Sequence, residues 1–453
     1  MSSPATVDAF APAPPPQPAS RVAALLDQLF RAVPEPPFVV RLWDGSEWPE
    51  RSANPARFTL TLREPAALRR LILARDEAAL AAGYVSGEYD LDGDLEAVAP
   101  VAEAMLASPP SLGQRLRILA GALRLPRRAG NGRATTAAPV SPATSDGRQP
   151  QLRGRRHSRE RDRQAVTYHY DASNDFYRLF LDPHMVYSCA YFADPAEPLE
   201  LAQVRKLDYV CRKLRLRAGD RLLDIGCGWG ALIVHAATHY GVSADGITLS
   251  ENQATVARER VRAAGLEDRC TVRIADYREL RDTATYDKVA SVGMFEHVGE
   301  AAMDAYFAQV FRLLKPGGAF LNHAIGGSLQ EALEGSDAPT FGDRWVFPDH
   351  ELLPIAVALR GAESAGFDVR DVENLREHYA LTLRHWVRGL EARREQAIRA
   401  GGEPVWRAWR LCFAACAHQF DADKIKLYQT LLVKPGGNGQ AGVPLTRRDW
   451  YVS

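Results

Sequence analysis

The stretch Arg221-Leu-Leu-Asp-Ile225, followed by Gly226-Cys-Gly228-Trp-Gly230, constrains this chain more than any other. Leu222, Leu223 and Ile225 give a short apolar run suited to a buried strand, and the glycines permit a tight turn before a helical pattern beginning near Ala231. Further strands are predicted at 242–248, 270–274, 288–292 and 319–324, with helices at 253–264 and 301–314. Alternating β and α elements predict a parallel, doubly wound α/β sheet. Two long helical patterns, about 380–399 and 404–418, add an all-α layer.

The chain has 453 residues, enough for two or three folded units. In 21–33, the residues Val22, Leu25, Leu26, Leu29, Phe30 and Val33 share one helical face. Alternating stretches at 38–43 and 58–62 predict strands, and helical patterns follow at 66–82, 94–107 and 112–125. Residues 21–125 therefore read as a small N-terminal α+β domain. Residues 1–20 carry six prolines and no Lys or Arg, which predicts a disordered leader and not a secretory signal. Residues 126–165 hold ten arginines against three acids, a net of +7, and no Phe, Trp or Tyr; the expectation is a basic disordered linker. The α/β domain then occupies 166–453.

Lys+Arg and Asp+Glu are both 56, so the formal charge is zero and a globally basic nucleic-acid binder is disfavoured. Six cysteines without CxxC spacing argue against a metal site and suit a reducing cytoplasm. No apolar run approaches the ~18 residues that span a bilayer.

A glycine-rich turn between strand and helix lets backbone approach a ligand, with N–H donors of the helix N-terminus free to face it. The spacing here is Gly-x-Gly-x-Gly, not the dinucleotide Gly-x-Gly-x-x-Gly, and Asp224 precedes it where an acid can meet an ammonium group. Both details favour S-adenosylmethionine. Where a dinucleotide site places an acid to hold ribose, this chain has Gly246-Ile-Thr248-Leu-Ser250, then Glu251 and Gln253, so hydroxyl and amide contacts are expected instead. Asp276-Tyr277 follows the third strand, a position suited to the adenine.

Several runs together carry a family resemblance: Tyr168-His-Tyr-Asp171-Ala-Ser-Asn174-Asp-Phe176, Met185-Val-Tyr-Ser-Cys-Ala-Tyr-Phe192, Leu222-Leu-Asp-Ile-Gly-Cys-Gly-Trp-Gly230, Thr248-Leu-Ser-Glu-Asn-Gln253 and Ser291-Val-Gly-Met-Phe-Glu-His-Val298. From about 166 to 432 the chain resembles the cyclopropane fatty-acyl-phospholipid synthases, a pattern shared by mycolic-acid cyclopropane synthases and fatty-acid C-methyltransferases. The resemblance implies a Rossmann-like class I methyltransferase sheet with a helical cap. It places Tyr187, Ser188, Leu222, Leu223, Asp224, Ile225, Gly226, Cys227, Gly228, Trp229, Gly230, Thr248, Leu249, Ser250, Glu251, Asn252, Gln253, Asp276 and Tyr277 at the cofactor.

The reaction it implies is methyl transfer to an isolated cis double bond, a weak nucleophile, in a dry tunnel. Aromatic faces steady the carbocation, and loss of a proton from the added methyl closes the ring. Tyr168, Tyr170, Phe176, Tyr177, Tyr187, Tyr191 and Phe192 supply aromatic density before the glycine loop, most of it expected as core packing. By the resemblance the base is a bound bicarbonate, with Cys189, Glu296, His323, Ile325 and Tyr379 at the matching positions. Glu296 would accept its proton, His323 and Tyr379 would donate, and Cys189 and Ile325 would offer backbone N–H groups. Cys416 matches a cysteine treated as an active-site residue in the family, but alkene methylation has no acyl intermediate and calls for no thiolate. After His323 the chain reads Ala-Ile-Gly-Gly where Thr-Ile-Gly-Ser is common. A shifted base would take a different proton and leave a methylene or methyl branch in place of a ring.

A phospholipid substrate requires contact with a bilayer. The amphipathic pattern at 112–125 has Arg115, Arg117 and Arg124 beside its leucines, and with the basic linker it is the expected membrane contact of a cytoplasmic, peripherally bound enzyme. Nucleic acid is not an expected partner, and a homodimer is compatible with the sequence.

Overall fold

The structure, a computed structural model, describes residues 19–50, 55–74, 76–126, 152–170, 173–330 and 341–451. Most of the expected leader and linker, and Asp171 and Ala172 of the first motif, lie outside the described residues. The chain divides into two compact units, 1–75 with 87–135, and 76–86 with 136–453.

In the first unit, β1 (Phe38–Arg41), β2 (Glu47–Trp48), β3 (Phe58–Leu62) and β4 (Tyr89–Gly93) form a sheet of order β2-β1-β3-β4. β1 and β3 run parallel, pairing Phe38 with Phe58, and the other pairs are antiparallel. Alternate residues of β3 are buried, as a strand with one face on a core requires. Phe30, Phe38, Trp48 and Phe58 pack ring on ring at centroid distances of 4.9 to 5.4 Å. The helix Leu112–Arg124 begins with a capping box between Ser111 and Gln114.

The expected helix at 66–82 is two helices, Pro65–Leu73 and Glu77–Val85. The break is local: Ala74 turns out of helical geometry at ψ 135°, and Asp76 caps the second helix by accepting from the Ala79 N–H. That second helix belongs to the larger unit, where Arg407 Nη1 donates to the Tyr84 carbonyl at 3.2 Å and Arg410 Nη1 to the Tyr84 hydroxyl at 3.1 Å.

The larger unit is built on seven strands: β5 (Arg221–Ile225), β6 (Ser243–Thr248), β7 (Cys270–Ile274), β8 (Tyr286–Val292), β9 (Leu314–Gly326), β10 (Asp368–Asn374) and β11 (Lys426–Val433), in the order β10-β11-β9-β8-β5-β6-β7. β5 to β9 are parallel. Leu222 feeds one core cluster and Leu223 the other, which is why β5 is a continuous apolar run with both faces covered. The order reverses at β5, so its C-terminal end opens at a topological switch point.

Two expectations are corrected. The sheet is not wholly parallel, because β11 inserts antiparallel between β9 and β10, returning after a long helical excursion. That layer comprises Arg376–Ala392, Arg394–Gly401 and Glu403–Asp421, its first pattern broken at Arg393. The expected linker also ends early, since Arg159–Tyr170 is helical. Basic residues of the expected linker find partners there: Arg161 Nη2 donates to Asp349 at 2.8 Å, and His157 Nε2 pairs with Glu351 at 3.0 Å.

Candidate active site

The glycine loop has the backbone its sequence demands. Gly226, Gly228 and Gly230 have φ of 81°, 53° and 84°, which L side chains rarely adopt. A Cβ on Gly226 would stand 3.0 Å from that of Met294, whereas one on Gly228 would meet nothing within 4 Å, because that residue borders open space. The Gly226 and Cys227 amides both donate to the Ile247 carbonyl at 2.9 Å, which ties the loop to β6. Trp229 Nε1 donates to Asn174 Oδ1 at 2.8 Å and fixes the loop's far side.

A cleft opens here. Of the expected cofactor residues it takes in Tyr187, Ser188, Asp224, Ile225, Gly226, Cys227, Gly228, Trp229, Thr248, Leu249, Gln253, Asp276 and Tyr277. Six stand outside its lining. Leu222 and Leu223 are fully buried core, and Gly230 packs against Ala257. Ser250 caps the following helix by accepting from the Gln253 N–H at 3.3 Å, while Glu251 and Asn252 face solvent.

Asp224 is the most telling group. It is 2% exposed, its Oδ1 has no hydrogen-bond partner, and burial pushes its pKa up to about 7 against a pull downward from nearby Lys206. A buried carboxylate lacking a partner is costly, and a ligand cation relieves it. Lys206 is itself buried, with its pKa brought down to about 8 by desolvation, and donates to Ser188 Oγ at 2.9 Å. Gln203 Nε2 donates to the Ser188 carbonyl at 2.8 Å, so one helix, Leu199–Leu214, holds the Tyr187–Ser188 wall from behind. Thr248 Oγ1 and Gln253 Oε1 meet at 2.8 Å at the end of β6. Asp276 is bridged by Arg278 at 2.5 Å, and the same guanidinium reaches Asp162 at 3.0 Å.

Sequence reasoning missed Lys206, Gln203, Asp162 and Arg278. The helix that carries Lys206 and Gln203 has an ordinary amphipathic pattern, and Asp162 fell inside the expected linker. Asp224 with a vacant acceptor, a glycine cradle and neutral polar groups at β6 fit an adenosyl amino acid bearing an ammonium group.

The six expected catalytic residues lie outside this lining, on neighbouring elements. Glu296 sits in a 3-10 turn, Phe295–His297, and its Oε1 accepts from the Ile325 amide at 2.7 Å. Its Oε2 is buried without a partner, and burial raises its pKa, opposed by the Ile325 bond. The Ile325 N–H is thus already engaged, a correction to the expectation that it faces a bound anion. His323 is 1% exposed; its Nδ1 faces Gln429 Nε2 at 3.1 Å, and its Nε2 has no partner. Burial holds it well below the usual range, so the ring is neutral. The amide N–H of Gln429 donates to Nδ1, which puts the ring proton on Nε2. Gln429, across the β9–β11 ladder from His323, was also missed.

Burial pushes the Tyr379 phenol well up, with Cys189, Glu296, Cys416 and Tyr170 close enough to add to the shift. Cys189 is fully buried, its thiol pushed up by desolvation, with Sγ 3.1 Å from the Ala190 carbonyl. Cys416 is partly exposed, and none of the six cysteines forms a disulfide. Aromatic rings join the two regions: Tyr187 lies 5.0 Å from Trp386 and 5.4 Å from Tyr177, Tyr177 lies 4.9 Å from Trp229, and Tyr379 lies 4.8 Å from Phe420. Tyr191 turns away from this wall to stack on Tyr209 and His378, and Phe192 on His385. Among the described residues no group of three or more His, Cys, Asp or Glu is placed to hold a metal, and no helix is long and apolar enough to cross a membrane.

The strand order and the glycine cradle at its switch point define a class I S-adenosylmethionine-dependent methyltransferase. A family profile described as mycolic acid cyclopropane synthetase matches residues 157–430, and the chain belongs to that family. A probable fatty acid methyltransferase of Pseudomonas putida is 39% identical over 419 residues, 92% of this chain and 96% of that protein. Cyclopropane-fatty-acyl-phospholipid synthase of Escherichia coli K12 is 39% identical over 271 residues, 60% of this chain and 68% of its own. Among solved structures, cyclopropane synthase MmaA2 from Mycobacterium tuberculosis superposes with a TM-score of 0.56 at 33% identity, covering 60% of this chain and 97% of that one. Mycolic acid cyclopropane synthase CmaA1 complexed with SAH and CTAB gives 0.56 at 35% identity, with 60% and 97% covered.

Proposed function

We propose that the chain methylates the cis double bond of unsaturated phospholipid acyl chains and closes a cyclopropane ring. The observation that carries this reading is the pair of buried, unpartnered atoms Glu296 Oε2 and His323 Nε2, set near Tyr379 and an aromatic wall. One is an acceptor and the other a donor, and neither has a role in holding the fold. S-adenosylmethionine, when bound, supplies the methyl group. The chain's own part is to hold Asp224 toward the ligand's ammonium group and Tyr187 and Ser188 along one wall. Tyr187, Tyr177 and Trp386 present ring faces where positive charge develops on the acyl chain, worth about 2 kcal/mol each when desolvated.

Removal of the proton needs a base. Glu296 Oε2, the His323 Nε2–H and the Tyr379 hydroxyl suit a bicarbonate ion, which would supply that base while they hold it. The Cys189 thiol stays protonated and has no nucleophilic task. The setting is a cytoplasmic enzyme peripherally bound to the inner membrane face.

A second reading is a methylene- or methyl-branched product on the same chain. Its support is that the Pseudomonas relative matched over nearly the whole length is named for fatty acid methylation, together with the Ala324 and Gly327 departures beside His323. Expression in a host without its own enzyme decides between them. Lipids should gain one CH₂, with upfield ring protons for the first reading and exocyclic methylene signals for the second. No mass gain with added S-adenosylmethionine overturns both.

A further inference from the structure

The helix Leu112–Arg124 wears its leucines on the outside. Leu112, Leu116, Leu119 and Leu123 are 75%, 60%, 40% and 59% exposed, four of the twelve exposed large apolar side chains among the described residues. Their spacing of four, three and four residues stacks them in one stripe along the helix. Soluble helices turn such a stripe inward.

This helix has no freedom to do so. Its opposite face is already docked, with Ile118 and Ala122 buried. A Cβ on Gly121 would stand 2.9 Å from Leu25 Cδ1, so the backbone lies against the helix Ala19–Leu29. Arg69 Nη1 donates to the carbonyls of Ala122, Leu123 and Leu125 at 3.1, 3.0 and 3.3 Å, which pins the C-terminal end. The leucine stripe is therefore held outward by the packing beneath it.

Arg115 lies beside the stripe on the helical wheel, whereas Arg117 and Arg124 stand on its other side beyond Gly113 and Ala120, and all three are exposed. The helix contains no acid. We infer that this face is a docking surface for an anionic phospholipid bilayer, the helix lying in the plane of the interface with its leucines among the acyl chains. The arginine stems then run along the apolar layer while the guanidinium groups reach headgroup phosphates. A second copy of the chain is the poorer occupant, since a two-fold pairing of these faces sets three arginines against the same three. Nucleic acid would meet four leucines where it needs donors.

The choice of lipid rests on the acyl-chain reading above, but the test reads binding without cofactor or turnover. Failure to bind would leave the methylation reading standing. The full chain is sedimented with vesicles of phosphatidylcholine alone or mixed with phosphatidylglycerol, at low and physiological salt. Wild type should partition onto the mixed vesicles. Leu116→Glu with Leu123→Glu should lower the partition coefficient at least tenfold with an unchanged melting temperature. Arg117→Gln with Arg124→Gln should lower it on mixed vesicles and leave weak binding to neutral ones unchanged. No binding by wild type at low salt overturns the inference, as does wild-type binding by the double glutamate variant. So does a wild-type dimer, measured by light scattering, that the leucine changes dissociate while vesicle binding persists.

Discussion

Glu296 Oε1 and the Ile325 amide meet at 2.7 Å, and this hydrogen bond joins the turn after β8 to the end of β9. It spends one carboxylate oxygen on architecture and leaves the other, buried and unpartnered, for chemistry. Glu296→Gln keeps an acceptor for Ile325 and loses the anionic oxygen. Turnover on unsaturated phospholipid vesicles should fall about 10²- to 10⁴-fold. Calorimetric affinity for S-adenosylhomocysteine should stay close to that of wild type. Equal loss of both would place Glu296 in the cofactor pocket instead.

Gln429 sets which His323 nitrogen carries the proton. Gln429→Leu removes that control, and kcat should drop on the order of tenfold or more with KM little changed, as when a partner that orients a histidine is removed. The ring ¹⁵N shifts give an independent reading: wild type should show Nε2–H alone, and the variant a mixture. A variant with a wild-type tautomer and reduced kcat would mean that Gln429 acts only by packing.

Asp224 has a folded pKa of about 7 against an ordinary value of 3.8. The folded chain thus holds a proton that the unfolded chain releases between these values, and the cofactor-free protein loses stability as pH rises from about 4 to 7. The penalty is full above the folded pKa and on the order of 4 kcal/mol. Asp224→Asn should raise the melting temperature at pH 8, have little effect at pH 4, and abolish tight cofactor binding. In wild type a bound ammonium group lowers the Asp224 pKa, so binding near pH 7 should release a proton. Calorimetry in two buffers of different ionisation enthalpy measures that release, and none would mean that Asp224 is already ionised.

Thiol chemistry is dispensable on this geometry. Burial drives the Cys189 thiol well up, and Cys416 lies close enough to Tyr379 to add to the upward shift of its phenol. Cys189→Ala and Cys416→Ser should each keep at least about a tenth of wild-type turnover. Loss of turnover in Cys416→Ser, with cofactor affinity intact, would give that sulfur a direct part.

Local physics made some of this legible in the sequence. The β5 run and its glycines announced the loop because only a buried strand and positive φ angles suit those residues. Asp224 was readable from its place at the strand end. Lys206 and Gln203 were not, because on a helix with an apolar stripe nothing in the chain itself says that a lysine points inward; the partner Ser188 lies elsewhere in sequence. Asp162 was hidden by its arginine-rich neighbours, which looked unfoldable until Asp349 provided a countercharge to Arg161 and Arg278 one to Asp162 itself. The helix at 112–125 was read as amphipathic, but which face it turns outward depends on Leu25 and Arg69, a tertiary matter.

The antiparallel insertion of β11 has a consequence in time. Gln429 comes 106 residues after His323, and β10 has no neighbour in the sheet until β11 slides between it and β9. The histidine has no directing partner until β11 is in place. The orientation of His323 therefore waits for the last strand of the sheet to be made, although the strand that bears the histidine comes 106 residues earlier.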